Sequence, residues 1–139
     1  MIENKKHLKE LSIEFAINVS NVCDKLVGCS VYKNQLIRSS SSIGANIHEA
    51  KYAQSRADFI NKLEISLKEA SESEYWLELI YRKHKITEDI YHKLINDCGL
   101  IRRMLIASVT TAKKNANKSN GYHYELNYCV QEDCPDIKW

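Results

Sequence analysis

Serine hydroxyls beside an imidazole are the makings of a nucleophile and its base, and residues 38–50, RSSSSIGANIHEA, hold both. A hydroxyl becomes a nucleophile only when a base lies within hydrogen-bond reach and an oxyanion site faces it. His48 is the only histidine near Ser39 and Ser42, and at helical spacing it falls off their face. No catalytic residue is therefore expected. Metal chemistry fares no better. A di-iron bundle needs Glu-x-x-His on each of two helices, whereas Asp89 and His92 show i, i+3 spacing once. His123, Cys129 and Cys134 are dispersed donors without the paired CxxC spacing of a zinc site. The expectation is a protein without metal or cofactor.

The four serines then need another explanation, and the spacing around them supplies it. Leu36, Ser40, Ile43, Ile47 and Ala50 form a seam at alternating steps of 4 and 3, with Gln35, Ser39, Ser42, Asn46 and Glu49 as a second stripe beside it. Such regularity is helical, so Ser39–Ser42 belong to a helix and not to a linker. Three further segments carry the same period. Leu8, Leu11, Phe15, Val19, Val22 and Leu26 place a helix over about residues 3–27, with Gly28 as its stop and Gly28–Asn34 as a connection. Ser55 with Asp58 three residues on opens a third helix, carried by Phe59, Leu63, Ser66, Ala70, Ser73, Leu77 and Ile80 to about Arg82. Thr87 is a candidate N-cap for a fourth, carried by Ile90, Leu94, Cys98, Ile101, Leu105, Val109 and Ala112 to about residue 117.

Long helices with short connections must be antiparallel neighbours, so the spacing predicts an all-α, up-down-up-down four-helix bundle over residues 1–117. Residues 118–139 lack a helical seam and read as an irregular C-terminal arm. Small residues on the second helix (Ser39, Ser42) and the third (Ser66, Ala70, Ser73) predict tight packing between them. Asn46 and Glu49 are expected to hydrogen-bond to a neighbouring helix or loop, since buried polar groups are costly unless paired.

Composition agrees with this architecture. Four glycines and one proline in 139 residues are too few for a many-stranded β fold, which turns every 8 to 12 residues or so. No apolar run approaches the roughly 18 residues of a membrane span, and the N-terminus lacks a signal-peptide core, so the chain reads as cytoplasmic. Five cysteines at unrelated spacings suit a reducing compartment, with Cys23, Cys29 and Cys98 expected as small core residues.

Two surface features point to partners. Tyr75, Trp76, Leu79 and Tyr81 in YWLELIY lie off the Leu77/Ile80 seam, so this end of the third helix is apolar on more than one side. Self-association, or a cap by the C-terminal arm, would cover it. The formal charge is only +2, but Arg102, Arg103, Lys113 and Lys114 cluster late in the chain, with Arg38, Lys51 and Arg56 added from the second helix and the turn after it. The third helix is acidic from Glu69 to Glu78. Segregation of this kind is either a solvated surface or, multiplied in an assembly, a face for RNA or DNA phosphates.

Residues 35–80 also resemble a bacterial four-helix bundle family, that of proteins encoded in intervening sequences of 23S rRNA genes. The pattern Gln-x-x-Arg-Ser-x-x-Ser-Ile-x-x-Asn-Ile-x-Glu is met by Gln35, Arg38, Ser39, Ser42, Ile43, Asn46, Ile47 and Glu49, and continues through Ala50, Ser55, Asp58 and Phe59. The resemblance implies a non-enzymatic bundle assembling as a homopentameric ring. Similar to it is the accessory variability determinant of diversity-generating retroelements, a basic pentameric barrel that binds nucleic acid and a reverse transcriptase. This chain is less basic than that relative. The expected function is thus a self-associating bundle that presents basic side chains to RNA or DNA. The alternative is a protein-interaction scaffold without nucleic acid.

Overall fold

The computed structural model describes residues 7–116. Four helices follow one another: α1 (Leu8–Asp24), α2 (Ser30–Ala50), α3 (Arg56–Arg82) and α4 (Glu88–Ala116). Residues 25–29, 51–55 and 83–87 join them, connections short enough to force antiparallel neighbours. Each helix packs on the two beside it in a closed square, α2 on α3 most extensively and α1 on α4 least. This is the all-α antiparallel bundle expected. The arm at 118–139 and the first turn expected from residue 3 lie outside the described residues.

Local chemistry explains the boundaries. Ser55 sits in extended backbone at the start of α3, and its hydroxyl accepts the Asp58 amide at 3.1 Å. Asp58 in turn reaches back past the N-cap to accept the Gln54 amide at 3.2 Å, a variant of the capping box in which the preceding residue donates. Thr87 caps α4 through the Ile90 amide at 3.3 Å. At the end of α3 the His84 amide donates to the Tyr81 carbonyl and the Lys85 amide to Ile80, with His84 at φ 57°. That is a Schellman stop built on a histidine instead of the usual glycine. Gly28 takes the left-handed φ of 80° expected of a terminator, but Cys29 follows at φ 55°. The chain therefore turns within two residues, and α2 starts at Ser30, several residues earlier than the apolar seam alone indicates.

The buried faces follow the expected seams closely. Leu36, Ile43, Ile47, Phe59, Leu63, Leu77, Ile80, Leu94, Ile101 and Leu105 are all essentially inaccessible. Ile90 is a correction: it is exposed, because the α4 seam meets the core only from Leu94 onward. Cys29 is another, lying half-buried in the α1–α2 connection while Cys23 and Cys98 are core residues as expected. Ser12, Gly99, Met104 and Ser108 are buried although the apolar template passes over them.

Small residues set the distances between helices. The Ser66 hydroxyl on α3 donates to the backbone carbonyl of Ile43 on α2 at 2.9 Å, and Ser73 donates to Ser39 at 2.8 Å. A hydroxyl reaches one bond past Cβ, so these contacts require nearly touching backbones. On the α1 side, a Cβ at Gly44 would lie 3.1 Å from the Ser12 oxygen. On the α4 side, the Cys98 sulfur lies 3.4 Å from the Ala70 carbonyl. No buried side-chain polar atom among the described residues lacks a hydrogen-bond partner. Ser73→Leu should therefore overpack the α2–α3 contact and destabilise the bundle by about 1–3 kcal/mol. Urea unfolding followed by circular dichroism measures this; an unchanged midpoint would mean the helices are not held this close.

Candidate interaction surfaces

The serine stripe is a packing face between α2 and α3. Ser39 is fully buried, Ser42 half-buried, and neither hydrogen-bonds to His48, whose ring instead meets Tyr52 edge-on at 5.6 Å. Asn46 donates to the Ser42 carbonyl at 2.8 Å and to the Ser42 hydroxyl at 3.2 Å, within its own helix and not across to a neighbour as expected. Glu49 does reach a neighbour, accepting from Lys62 of α3 at 2.7 Å. Cys98 is fully buried, and burial pushes its thiol up to about 12. No metal-holding cluster of three or more His, Cys, Asp or Glu occurs among the described residues.

The basic candidates divide into two groups. Along the middle of the bundle they face carboxylates of α3. Arg38 bridges from α2 to Glu69 at 3.3 Å and to Glu72, and also donates to Gln35 at 3.2 Å. From α4, Arg102 pairs with Glu74 at 3.2 Å, and the guanidinium of Arg103 lies 3.4 Å from where a Cβ on Gly99 would stand. The acid-rich third helix and its basic neighbours are therefore one complementary set within a single chain. Sequence spacing shows the segregation but not this pairing, because partners 28 to 34 positions apart have no local signature.

The second group gathers at one end of the bundle. Arg56, at the start of α3, donates to the Asn115 carbonyl in the last turn of α4 at 2.8 Å. Lys51 and Tyr52, in the connection before α3, and Lys113 and Lys114, in the last turn of α4, therefore stand at the same end of the bundle. Lys113 pairs with Glu64 at 2.6 Å, while the Lys51 ammonium stands 5.9 Å from the centre of the Tyr52 ring.

The aromatic candidates divide as well. Trp76 stacks on Tyr32 of α2 at 5.9 Å and meets Tyr75 edge-on at 5.1 Å, and its indole N–H donates to Glu72 at 3.0 Å. Tyr75 remains 55% exposed and Leu79 half-buried, so these residues make a continuous outer patch. Tyr81 is on the other side of α3, stacked face to face on Tyr91 of α4 at 4.2 Å, and it belongs to the internal packing. Ile13 and Ile17, one turn apart on α1, are 40% and 54% exposed and were not among the expected contact residues. They fall off the Leu8–Phe15 stripe, which is the signal that would have found them. A groove of about 220 Å³ opens between α1 and α4, floored by Leu11, Phe15 and Leu100.

The geometry is thus that of an antiparallel helical bundle whose distinctive residues set helix contacts and surfaces. The 23S rRNA-intervening sequence protein model matches residues 5–107, and the chain belongs to that family. It is similar to a protein of unknown function from the S23 ribosomal protein family of Bacteroides thetaiotaomicron VPI-5482, known from a crystal structure. The two are 50% identical with a TM-score of 0.70, over 73% of this chain and 97% of the other. Among curated proteins none matches.

The Arg38–Glu72 bridge has a measurable signature. Its hydrogen bond to Arg38, assisted by the Trp76 indole, holds the Glu72 carboxyl below its usual value. A depressed folded pKa adds stability that is fully present above the unfolded value, near 4.5, and is lost as pH falls through the folded value. Because the carboxylate is partly solvated, the effect should stay below about 1 kcal/mol. Glu72→Gln should flatten the acid limb of a stability–pH profile below about pH 4.5 and lower neutral stability by the same amount, under about 1 kcal/mol. An identical acid limb in the variant would show that the bridge is not formed.

Proposed function

We propose that this protein acts by association and not by catalysis, as a bundle that joins copies of itself. The observation that carries this is the outer patch of Tyr75, Trp76, Tyr32 and Leu79. Monomeric proteins rarely leave a contiguous aromatic surface to water, and buried Tyr and Trp anchors dominate protein interfaces. The stoichiometry implied by the family resemblance is a ring of five. Gln35 and Arg38 border the patch through Glu72, so they would set its rim, whereas Ser39 and Ser42 act inside the protomer. Tyr75→Glu places a charge at the exposed centre of the patch and should reduce the assembly to single chains. Sedimentation velocity reads the mass and circular dichroism the helix content. A wild-type protein at single-chain mass would sink the proposal, as would a variant with undiminished mass.

A second reading, nucleic-acid binding in the cytoplasm, is favoured by one observation: the Arg56–Asn115 bond gathers Lys51, Arg56, Lys113 and Lys114 at one end. Repetition around a ring would multiply that charge. Arg38 and Arg102 contribute less in this reading, because carboxylates already face them, and Lys113 shares its charge with Glu64. The double substitution Lys51→Glu with Lys113→Glu should abolish binding of structured RNA or DNA measured by fluorescence anisotropy at about 50 mM salt, where phosphate contacts are strongest. Retained affinity would move the phosphate contacts away from this end, and no binding by the wild type would leave the protein as a scaffold for other proteins, such as a reverse transcriptase.

A further inference from the structure

The residue least accounted for at the basic end is Tyr52. Its side chain is 68% exposed, more than any other large aromatic described. It is not a loose residue: the Tyr52 amide donates to the Glu49 carbonyl at 3.0 Å, and the next amide, of Ala53, to the Ala50 carbonyl at 3.1 Å. The backbone that carries the ring is therefore a fixed turn. His48 meets the ring edge-on from the last turn of α2, and the Lys51 ammonium lies at 5.9 Å from its centre. With those two neighbours the ring still turns most of its surface to water.

The acids nearby are already engaged. Glu49 accepts from Lys62, Glu64 from Lys113, and Asp58 caps the α3 N-terminus. Among the described residues Lys51 pairs with no carboxylate, and its ammonium stands 5.9 Å from the centre of the tyrosine ring. An amphipathic ring held rigidly beside a cation has one matching ligand chemistry: a flat π-face linked to an anion. A nucleotide in a strand supplies both at the right separation.

We propose that this end of the bundle binds an unpaired nucleic-acid strand, with a base stacked on Tyr52 and its phosphates on Lys51 and the last turn of α4. The inference rests on the nucleic-acid reading above and narrows it from any phosphate backbone to single strands. Base faces are hidden in a duplex, so only an unpaired base can stack on the ring.

The test is a fluorescence-anisotropy titration with a labelled 20-nucleotide mixed-sequence strand, as RNA and as DNA, and with the same sequences as duplexes. Wild type, Tyr52→Ala, Tyr52→Phe and Lys51→Glu are compared from about 50 to 200 mM salt, with oligomer mass checked for each. Single strands should bind more tightly than duplexes, as RNA, as DNA or as both. Tyr52→Ala should weaken them by about 5- to 150-fold, the range for one base–aromatic stack, and Tyr52→Phe should restore most of the loss. Lys51→Glu should weaken binding and reduce its salt dependence. Equal or tighter binding of duplexes would overturn the inference while leaving the broader nucleic-acid reading in place, and so would strand binding indifferent to Tyr52→Ala. No binding of any probe by the wild type at the low-salt end would remove both.

Discussion

A single short contact governs the rest of this bundle: the hydroxyl of Ser66 on the carbonyl of Ile43. A side chain one atom beyond Cβ can touch a neighbouring backbone only if the two helices nearly meet, and larger residues at Ser66, Ala70 or Ser73 would hold them apart. With α2 and α3 this close, the Ser39 and Ser73 hydroxyls satisfy each other in the dry interior, and the penalty for burying them is removed. The same approach carries Arg38 within reach of Glu69 and Glu72 and lays Trp76 against Tyr32. Between α1 and α4, the least extensive of the helix contacts, a groove opens.

Charge follows from this geometry. The α3 carboxylates lie between two basic helices, Glu69 and Glu72 turned to Arg38, and Glu64 and Glu74 to Lys113 and Arg102. Each exposed pair contributes little to stability, at most about 1 kcal/mol. Together they favour the one helix register that brings opposite charges face to face, which is a specificity effect more than an energetic one. They also reduce the positive potential the middle of the bundle can offer to a phosphate. Lys51, Arg56 and Lys114 stand away from this α3 stripe, at the end that holds the α2–α3 connection and the last turn of α4.

Burial pushes the most buried thiol among the described residues, Cys98, up to about 12. The chemistry this chain does display is that of surfaces: an aromatic patch on one flank and a cationic, tyrosine-bearing tip at one end. Its relative from Bacteroides, half identical in sequence, is itself a protein of unknown function. The two surfaces are separated along the long axis, since Tyr32 and Trp76 lie toward the far ends of helices whose near ends carry Lys51 and Arg56. Assembly through one would leave the other open.

Much of the fold was legible in sequence because its determinants are local. The steps of 3 and 4 from Leu36 to Ala50 follow from helical pitch, and the caps at Ser55 and Thr87 involve neighbours three residues away. The serine run declared itself a packing face by the same arithmetic. Which residues a face touches is not local. Nothing in the sequence around Arg38 points to Glu72, nothing separates Tyr81, stacked inside on Tyr91, from Tyr75, left in water, and nothing marks Cys29 as a turn residue. Those distinctions arise only when four helices close around a common core, because rotation and register about each axis are decided by the packing of all of them at once. The sequence by itself determined four amphipathic helices and where they stop; the tertiary structure decided which cations are neutralised, which aromatics stay exposed, and therefore where this protein can meet a partner.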